Sequence, residues 1–251
     1  MPGEALIRLA LLVTAAFLGG ALNAAAGGGT FLTLPALMLV GVPPVAANAT
    51  SNLVLLPGYF ASTWGFREDL HAGNTGVLVW MSLVSLIGGA TGAVLLLLTS
   101  NHAFRMVVPW LMLAATLLFA GGPRLMSSLH RHRPVGRFPM LTGVFLVSIY
   151  GGYFNGGLGI ILLALLGLLG YSDINVMNGI KNLLSAILTA VAVALYAWGG
   201  TLVWSRGISM MFAAILGGYA GARLARRLPA RGLRYGVVAI GLMTSGFFFL
   251  Y

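Results

Sequence analysis

Apolar residues run along this chain in long blocks rather than in alternation. The stretch TGVLVWMSLVSLIGGATGAVLLLLTS, residues 75–100, carries no charged residue. A membrane-spanning helix needs about 20 apolar residues, whereas a barrel strand would alternate with period two. The pattern therefore predicts an all-α protein with helical spans. Glycine, proline and polar clusters divide the blocks into ten segments: 5–26, 30–41, 45–66, 75–99 and 103–121, then 138–155, 158–170, 174–198, 205–227 and 233–251. Segments 30–41 and 158–170 are too short to span comfortably. Each follows a glycine cluster, and the first stops before Pro43 and Pro44, where a helix breaks. Each short segment is expected to form a pair with the segment before it, either as two short crossings or as a re-entrant hairpin. The total is about 8–10 membrane segments.

The order of breaks repeats. GGALN at 19–23 matches GGYFN at 151–155, and GGG at 27–29 matches GGLG at 156–159. NATSN at 48–52 matches NGIKN at 178–182, and GGATGA at 88–93 matches GGYAGA at 217–222. FR at 104–105 matches LR at 233–234. The spacing stays near about 130 residues throughout, the signature of a duplication. The expected organisation is a first repeat over 1–121, a basic linker over 122–137 and a second repeat over 138–251. The first 29 residues resemble a signal peptide. The repeat uses residues on both sides of the would-be cleavage site, so they are expected to stay as the first segment.

Composition agrees. Of 251 residues, 59% are hydrophobic and 7% charged, with mean hydropathy +0.97. A soluble domain is about one quarter charged. Fourteen basic residues face four acidic ones, for a net charge of +10. In a soluble chain that excess would suggest nucleic acid. Here arginines gather in two places: Arg124, Arg131, Arg133 and Arg137 in the linker, and Arg223, Arg226, Arg227, Arg231 and Arg234 near the end. Both are expected on the cytoplasmic side. An even number of crossings then separates them, each half has an odd number, and the halves are inverted with both termini outside. Inverted repeats with discontinuous helices are a transporter architecture, with the site near mid-membrane.

Candidate chemistry follows the repeat. Gly27, Gly28 and Gly29, and Gly156, Gly157 and Gly159, place backbone N–H groups at the starts of short helices, where anions bind; close helix packing is the alternative. For Gly88 and Gly92, and for Gly217 and Gly221, the GxxxG spacing favours packing. Asn48 and Asn52 share one helix face, as do Asn178 and Asn182. Asn23 and Asn155 precede the glycine clusters. These amides either bond one another and tie the broken helices together, or contact a substrate, or both. Lys181 is the only lysine, about 12 Å into its helix if Asp173 caps it. It is a substrate-anion ligand, a snorkelling or carbonyl-paired structural lysine, or a cavity lysine without a role. The first repeat has Ser51 at that position, after Thr50, so hydroxyls would face a lysine.

Several classes are excluded. There is no cysteine, hence no thiol chemistry, disulfide or Cys-ligated metal. Glu4, Glu68, Asp69, Asp173 and the four histidines are predicted at segment ends or in loops, so no relay crosses the membrane. That speaks against cation transport and a carboxylate proton pump. No Ser–His or Asp pair suggests a protease, and no Walker motif suggests ATP use. No cofactor or metal is expected, and the chain is not read as an enzyme.

The block GGGTFLTLPALMLVGVPPVAANATSN, with Pro35 and the Ala-x-x-Thr-Ser at 47–51, resembles the first repeat of the TauE/SafE family of sulfite exporter-like proteins. GGYFNGGLGIILLALLGLLGYSDINVMNGIKNLL resembles its second, without the full glycine triplet or the proline. The resemblance covers nearly the whole chain. It implies a bacterial inner-membrane transporter of sulfite or another small sulfur-containing or organic anion, including sulfonates and sulfoacetate. The expected function is a secondary oxyanion carrier working by alternating access, with an anion channel or a non-transporting scaffold as alternatives. Coupling is expected to be uniport or a proton carried on a bisulfite-like substrate. Substrate contacts are expected from Lys181, Asn182, Asn178, Asn52, Ser51, Thr50 and Asn48, with the backbone of Gly27, Gly28, Gly29, Gly157 and Gly159. Expected partners are a sulfite-like anion and the lipid bilayer, not nucleic acid, and a homodimer is compatible with this picture.

Overall fold

A computed structural model describes residues 2–71, 75–129, 136–225 and 230–250. Among these, eleven α-helices account for the regular structure: α1 (Pro2–Ala26), α2 (Thr30–Leu39), α3 (Pro44–Gly65), α4 (Arg67–His71), α5 (Thr75–Leu98), α6 (Asn101–Leu129), α7 (Arg137–Tyr153), α8 (Leu158–Leu168), α9 (Ile174–Trp198), α10 (Trp204–Ala225) and α11 (Ala230–Leu250). Three stretches, Gly3–Ala24, Thr75–Leu98 and Ile174–Trp198, are long and apolar enough to cross a membrane. Leu6, Ile87, Trp110, Phe212 and Leu216 stand on the outside, a surface suited to lipid rather than water.

The elements begin and end where the sequence marks them. Pro44 opens α3, where a missing N–H costs nothing. Asp173 caps α9, its Oδ1 accepting the N–H groups of Asn175 and Val176 at 2.8 and 3.3 Å. Two features depart from the segment pattern. α4 is an extra short helix. α6 continues through Gly121, Gly122 and Pro123 to Leu129, into the stretch read as linker. Proline lacks its own N–H but leaves the flanking ladder in place, so it need not end a helix. The linker residues 130–135, with Arg131 and Arg133, lie outside the described residues, as do Arg226 and Arg227.

The two short helices fold back along their predecessors. Gly19 of α1 lies against Gly29 and Thr33, and the start of α1 (Glu4, Arg8) lines one cavity with Val40, just past α2. In α7, Gly143 lies against Leu165 near the end of α8. The α1–α2 pair opens to the end of the bundle where α10 starts: Arg206 donates to the Val40 carbonyl at 3.2 Å. We call this the N-terminal end. The α7–α8 pair opens to the other end, where Arg137 lies over the Trp80 ring at the start of α5. We call this the linker end. α2 and α8 are each about 15 Å long, half the hydrocarbon thickness of a bilayer.

Helix pairs recur when α1, α2, α3, α5 and α6 are exchanged for α7, α8, α9, α10 and α11. α1 packs on α10 as α7 packs on α5, α3 meets α9, and α6 meets α11. The seams are glycine-built. An added Cβ at Gly88 would stand 2.7 Å from the Ser148 Cβ, and one at Gly92 would strike the Ile149 carbonyl. One at Gly217 would strike the Phe17 carbonyl and one at Gly221 the backbone of Ala21. Both GxxxG pairs thus serve close helix packing, as their spacing suggests. The largest buried cluster joins residues from both sides of the linker, including Phe31, Leu37, Phe104, Phe154 and Tyr196.

Candidate functional site

Two backbone breaks build the site. Gly27 (φ +77°) and Gly157 (φ +69°) take left-handed values that glycine adopts without steric cost. Asn155 is left-handed too, at φ +65°, a conformation asparagine tolerates better than most side chains. Neither N-cap, Gly29 of α2 or Gly157 of α8, supplies a side-chain acceptor. Both helix starts therefore keep their partial positive charge uncompensated by a side chain.

The breaks touch each other beside the lysine. A Cβ built at Gly159 would stand 3.3 Å from the Gly27 Cα and 3.4 Å from Lys181 Cδ. The missing side chain at 159 is the room the lysine stem occupies. Lys181 is half-buried, and its Nζ donates to Asn178 Oδ1 at 3.1 Å. Asn178 Nδ2 in turn donates to the Ile174 carbonyl at 2.9 Å. No carboxylate pairs with Lys181 among the described residues: Glu4 pairs with Arg8, Glu68 with Arg67, Asp69 lines a separate cavity with Phe66 and Asn175, and Asp173 is spent on its cap.

A second group of contacts ties α3 to the breaks. Thr33 Oγ1 and Ser51 Oγ are 2.6 Å apart, and Thr33 also donates to the Gly29 carbonyl at 3.2 Å. Asn155 Nδ2 donates to Asn52 Oδ1 at 2.6 Å and to Thr189 Oγ1 at 3.4 Å, while its Oδ1 accepts from Tyr59 at 3.3 Å. Asn48 Nδ2 donates to the Tyr153 carbonyl at 2.8 Å, just before the second break. Tyr150 and Tyr196 donate to the carbonyls of Gly156 and Gly152.

Lys181, Asn178, Gly27 and Gly159 are thus brought together, and Ser51 joins Gly29 through Thr33. Asn52 and Asn48 reach the second break. Asn182 is buried on α9, next to Lys181. Gly28 is buried against the Phe31 ring, and Gly157 lies against Ala115 of α6. Thr50 turns away: its Oγ1 accepts the Val203 N–H at 3.1 Å, at the start of α10. Neighbours on a helix are about 100° apart, so Thr50 cannot share the Ser51 face.

Polar residues outside the expected set complete the centre. Asn155, Thr33, Tyr59, Thr189 and Ser185 are all buried. The repeat had marked Asn155 by its match to Asn23. Ser185 and Thr189 continue the Lys181 face at four-residue spacing, a signal available in SAILTAV but masked by its apolar neighbours. Four buried polar atoms near the breaks have no partner among the described residues: Asn23 Oδ1, Asn48 Oδ1, Asn52 Nδ2 and Ser185 Oγ. Such atoms call for a ligand or water. The arrangement supplies hydrogen bonds, one cation and two helix starts, the groups that hold an anion.

Relatives agree. The profile of the family described as "Sulfite exporter TauE/SafE" matches residues 12–248. A "Probable membrane transporter protein" of Haemophilus influenzae is 31% identical over 245 residues, covering 94% of this chain and 92% of that one. "Probable membrane transporter protein YfcA" of Escherichia coli K12 is 29% identical, covering 95% and 88%. "Probable membrane transporter protein ORF9" of a Sinorhizobium species is 29% identical, covering 89% and 85%. With nearly its whole length matched and its helices apolar outward, the chain belongs to the Sulfite exporter TauE/SafE family of membrane transporters.

Proposed function

We propose that the chain is a secondary carrier for a small oxyanion, sulfite or a related sulfur-containing or organosulfonate anion, in a bacterial inner membrane. The carrying observation is that two glycine breaks, each opening a helix without a side-chain cap, meet beside Lys181 with no carboxylate against it among the described residues. Lys181 supplies charge, the uncapped helix starts supply N–H dipoles, and the Asn and Ser side chains supply hydrogen bonds. The bacterial relatives and the family's printed description support the membrane and the substrate class. The α1–α2 and α7–α8 pairs act as re-entrant hairpins of two inverted repeats, a reading supported by their opening to opposite ends of the bundle. The arginines of the linker support a cytoplasmic location for the linker end. Alternating access then exposes the centre first to one end and then to the other.

Counterflow tests this reading. Proteoliposomes loaded with unlabelled sulfite should take up external labelled sulfite transiently above equilibrium, with saturable kinetics. Uptake that never saturates and shows no counterflow means a channel, and no uptake of any oxyanion or sulfonate means neither.

A further inference from the structure

The two halves differ in one place that bears on access. A cavity of about 680 Å³ lies between α1, α3 and α10. Its mouth is at the linker end, at Phe66, Asp69 and Asn175, and its inner wall is formed by Gly20, Asn23 and Gly58. Asn23 sits one turn before the first break: its carbonyl accepts the Gly27 N–H at 2.9 Å. Its Oδ1 is among the buried atoms without a partner. The repeat counterpart of Asn23 is Asn155, which bonds Asn52, Thr189 and Tyr59.

The sequence supplies the cause. Counting six residues on from Asn52 gives Gly58, and six on from Asn182 gives Leu188. At Gly58 an added Cβ would meet only Asn23 Nδ2, at 3.9 Å. Leu188 is fully buried, and it fills the corresponding space in the other half. Its Cβ stands 2.7 Å from a Cβ built at Gly89, and its Cδ1 2.9 Å from one built at Gly151. Tyr196 closes the same region by donating to the Gly152 carbonyl. One half is plugged by leucine, and the other is held open by glycine.

We propose that the cavity beside Gly58 is the route by which the anion reaches the centre from the linker end, and that Asn23 is the amide that receives it there. This rests on the reading of the chain as a carrier. Asn23 Nδ2 donates to an anion oxygen while its partnerless Oδ1 accepts from the ion's hydration water, and that unpaired Oδ1 beside the fully bonded Asn155 marks the linker-end-open state. The ligand is a small oxyanion whose oxygens accept from a neutral amide before reaching Lys181. The cavity is much larger than a single such ion, so the anion enters partly hydrated. Asp69 at the mouth disfavours anions, an effect that salt screens at a solvent-open mouth.

The absence of cysteine makes the test clean. Single cysteines are introduced at Ala24, which lines the cavity beside Asn23, and as side markers at the exposed Ser172 (linker end) and Ser100 (N-terminal end). A membrane-impermeant maleimide is applied to vesicles of each orientation, without sulfite. We expect Ala24→Cys to react from the side that labels Ser172→Cys and not from the side that labels Ser100→Cys. Adding Gly58→Leu should abolish that reaction while thermal stability is retained. Reaction from the Ser100 side, equal reaction from both sides, no reaction, or reaction unaffected by a folded Gly58→Leu protein overturns the proposal. If Gly58→Leu does not fold, the sidedness of Ala24→Cys alone decides. The labelling needs no transported ion, so sided labelling without anion counterflow would sink the carrier reading and leave the path. Counterflow without sided labelling would do the reverse.

Discussion

Gly159 and Lys181 depend on each other. The lysine stem lies where a side chain at 159 would be, and the Gly27 backbone closes the other side of the same gap. Gly159→Val should push the stem aside and pry the breaks apart. It is expected to abolish anion-dependent thermal stabilisation while the helical content by circular dichroism stays unchanged. Unaltered stabilisation would mean that the anion does not sit at this contact. Asn155 makes a second, sharper case, because its backbone and side chain can be tested apart. Loss of its amide strands Asn52, Tyr59 and Thr189 groups, a cost of about 1–3 kcal/mol for each buried group left unpaired. Alanine also keeps a Cβ in the left-handed conformation, worth roughly 1 kcal/mol more. Both Asn155→Gly and Asn155→Ala should lower the melting temperature, with alanine lower than glycine. The opposite order would mean that φ at 155 is relieved at no cost. Residues such as Asn155 were half legible: the repeat pointed to them, but only packing assigns three bonds to one amide.

At the scale of elements, glycine has two jobs that only neighbouring helices can tell apart. In the α1–α10 and α5–α7 seams it permits backbone contact, and on α3 it leaves space. Gly217→Ala would drive a methyl into the Phe17 carbonyl, and Gly92→Ala one into the Ile149 carbonyl. Overpacking of this kind costs about 1–3 kcal/mol, so each should melt well below the parent. Gly58→Ala, which meets nothing closer than 3.9 Å, should melt at or slightly above it, since alanine is the better helix former. Equal effects at 58 and 217 in a thermal melt would contradict this division. Hydrophobic blocks and breakers located the ten long and short segments to within a few residues. α4 escaped because five residues carry no periodicity; it is held by tertiary contact, with Leu70 against Gly179. The extension of α6 escaped because Gly121, Gly122 and Pro123 read as a stop, and the penalty for proline inside a helix is an average over contexts.

The molecule as a whole interleaves the two sets of matched helices, α1–α3, α5 and α6 with α7–α11, rather than setting them side by side. The first helix of each packs on the fourth of the other, the third on the third, and the fifth on the fifth. The matched motifs suggest two related halves, but not which helix meets which. Periodicity fixes faces, whereas partner choice depends on surfaces distant in sequence. Nor could the sequence place both glycine breaks in contact beside Lys181, the geometry on which the carrier reading depends. Binding of sulfite to the purified protein, followed by thermal stabilisation across a concentration series, tests that geometry most directly. A charge-assisted hydrogen bond contributes about 1.5–3 kcal/mol, so Lys181→Met should weaken binding roughly tenfold to a hundredfold. Wild-type affinity in a folded Lys181→Met protein would place the anion elsewhere.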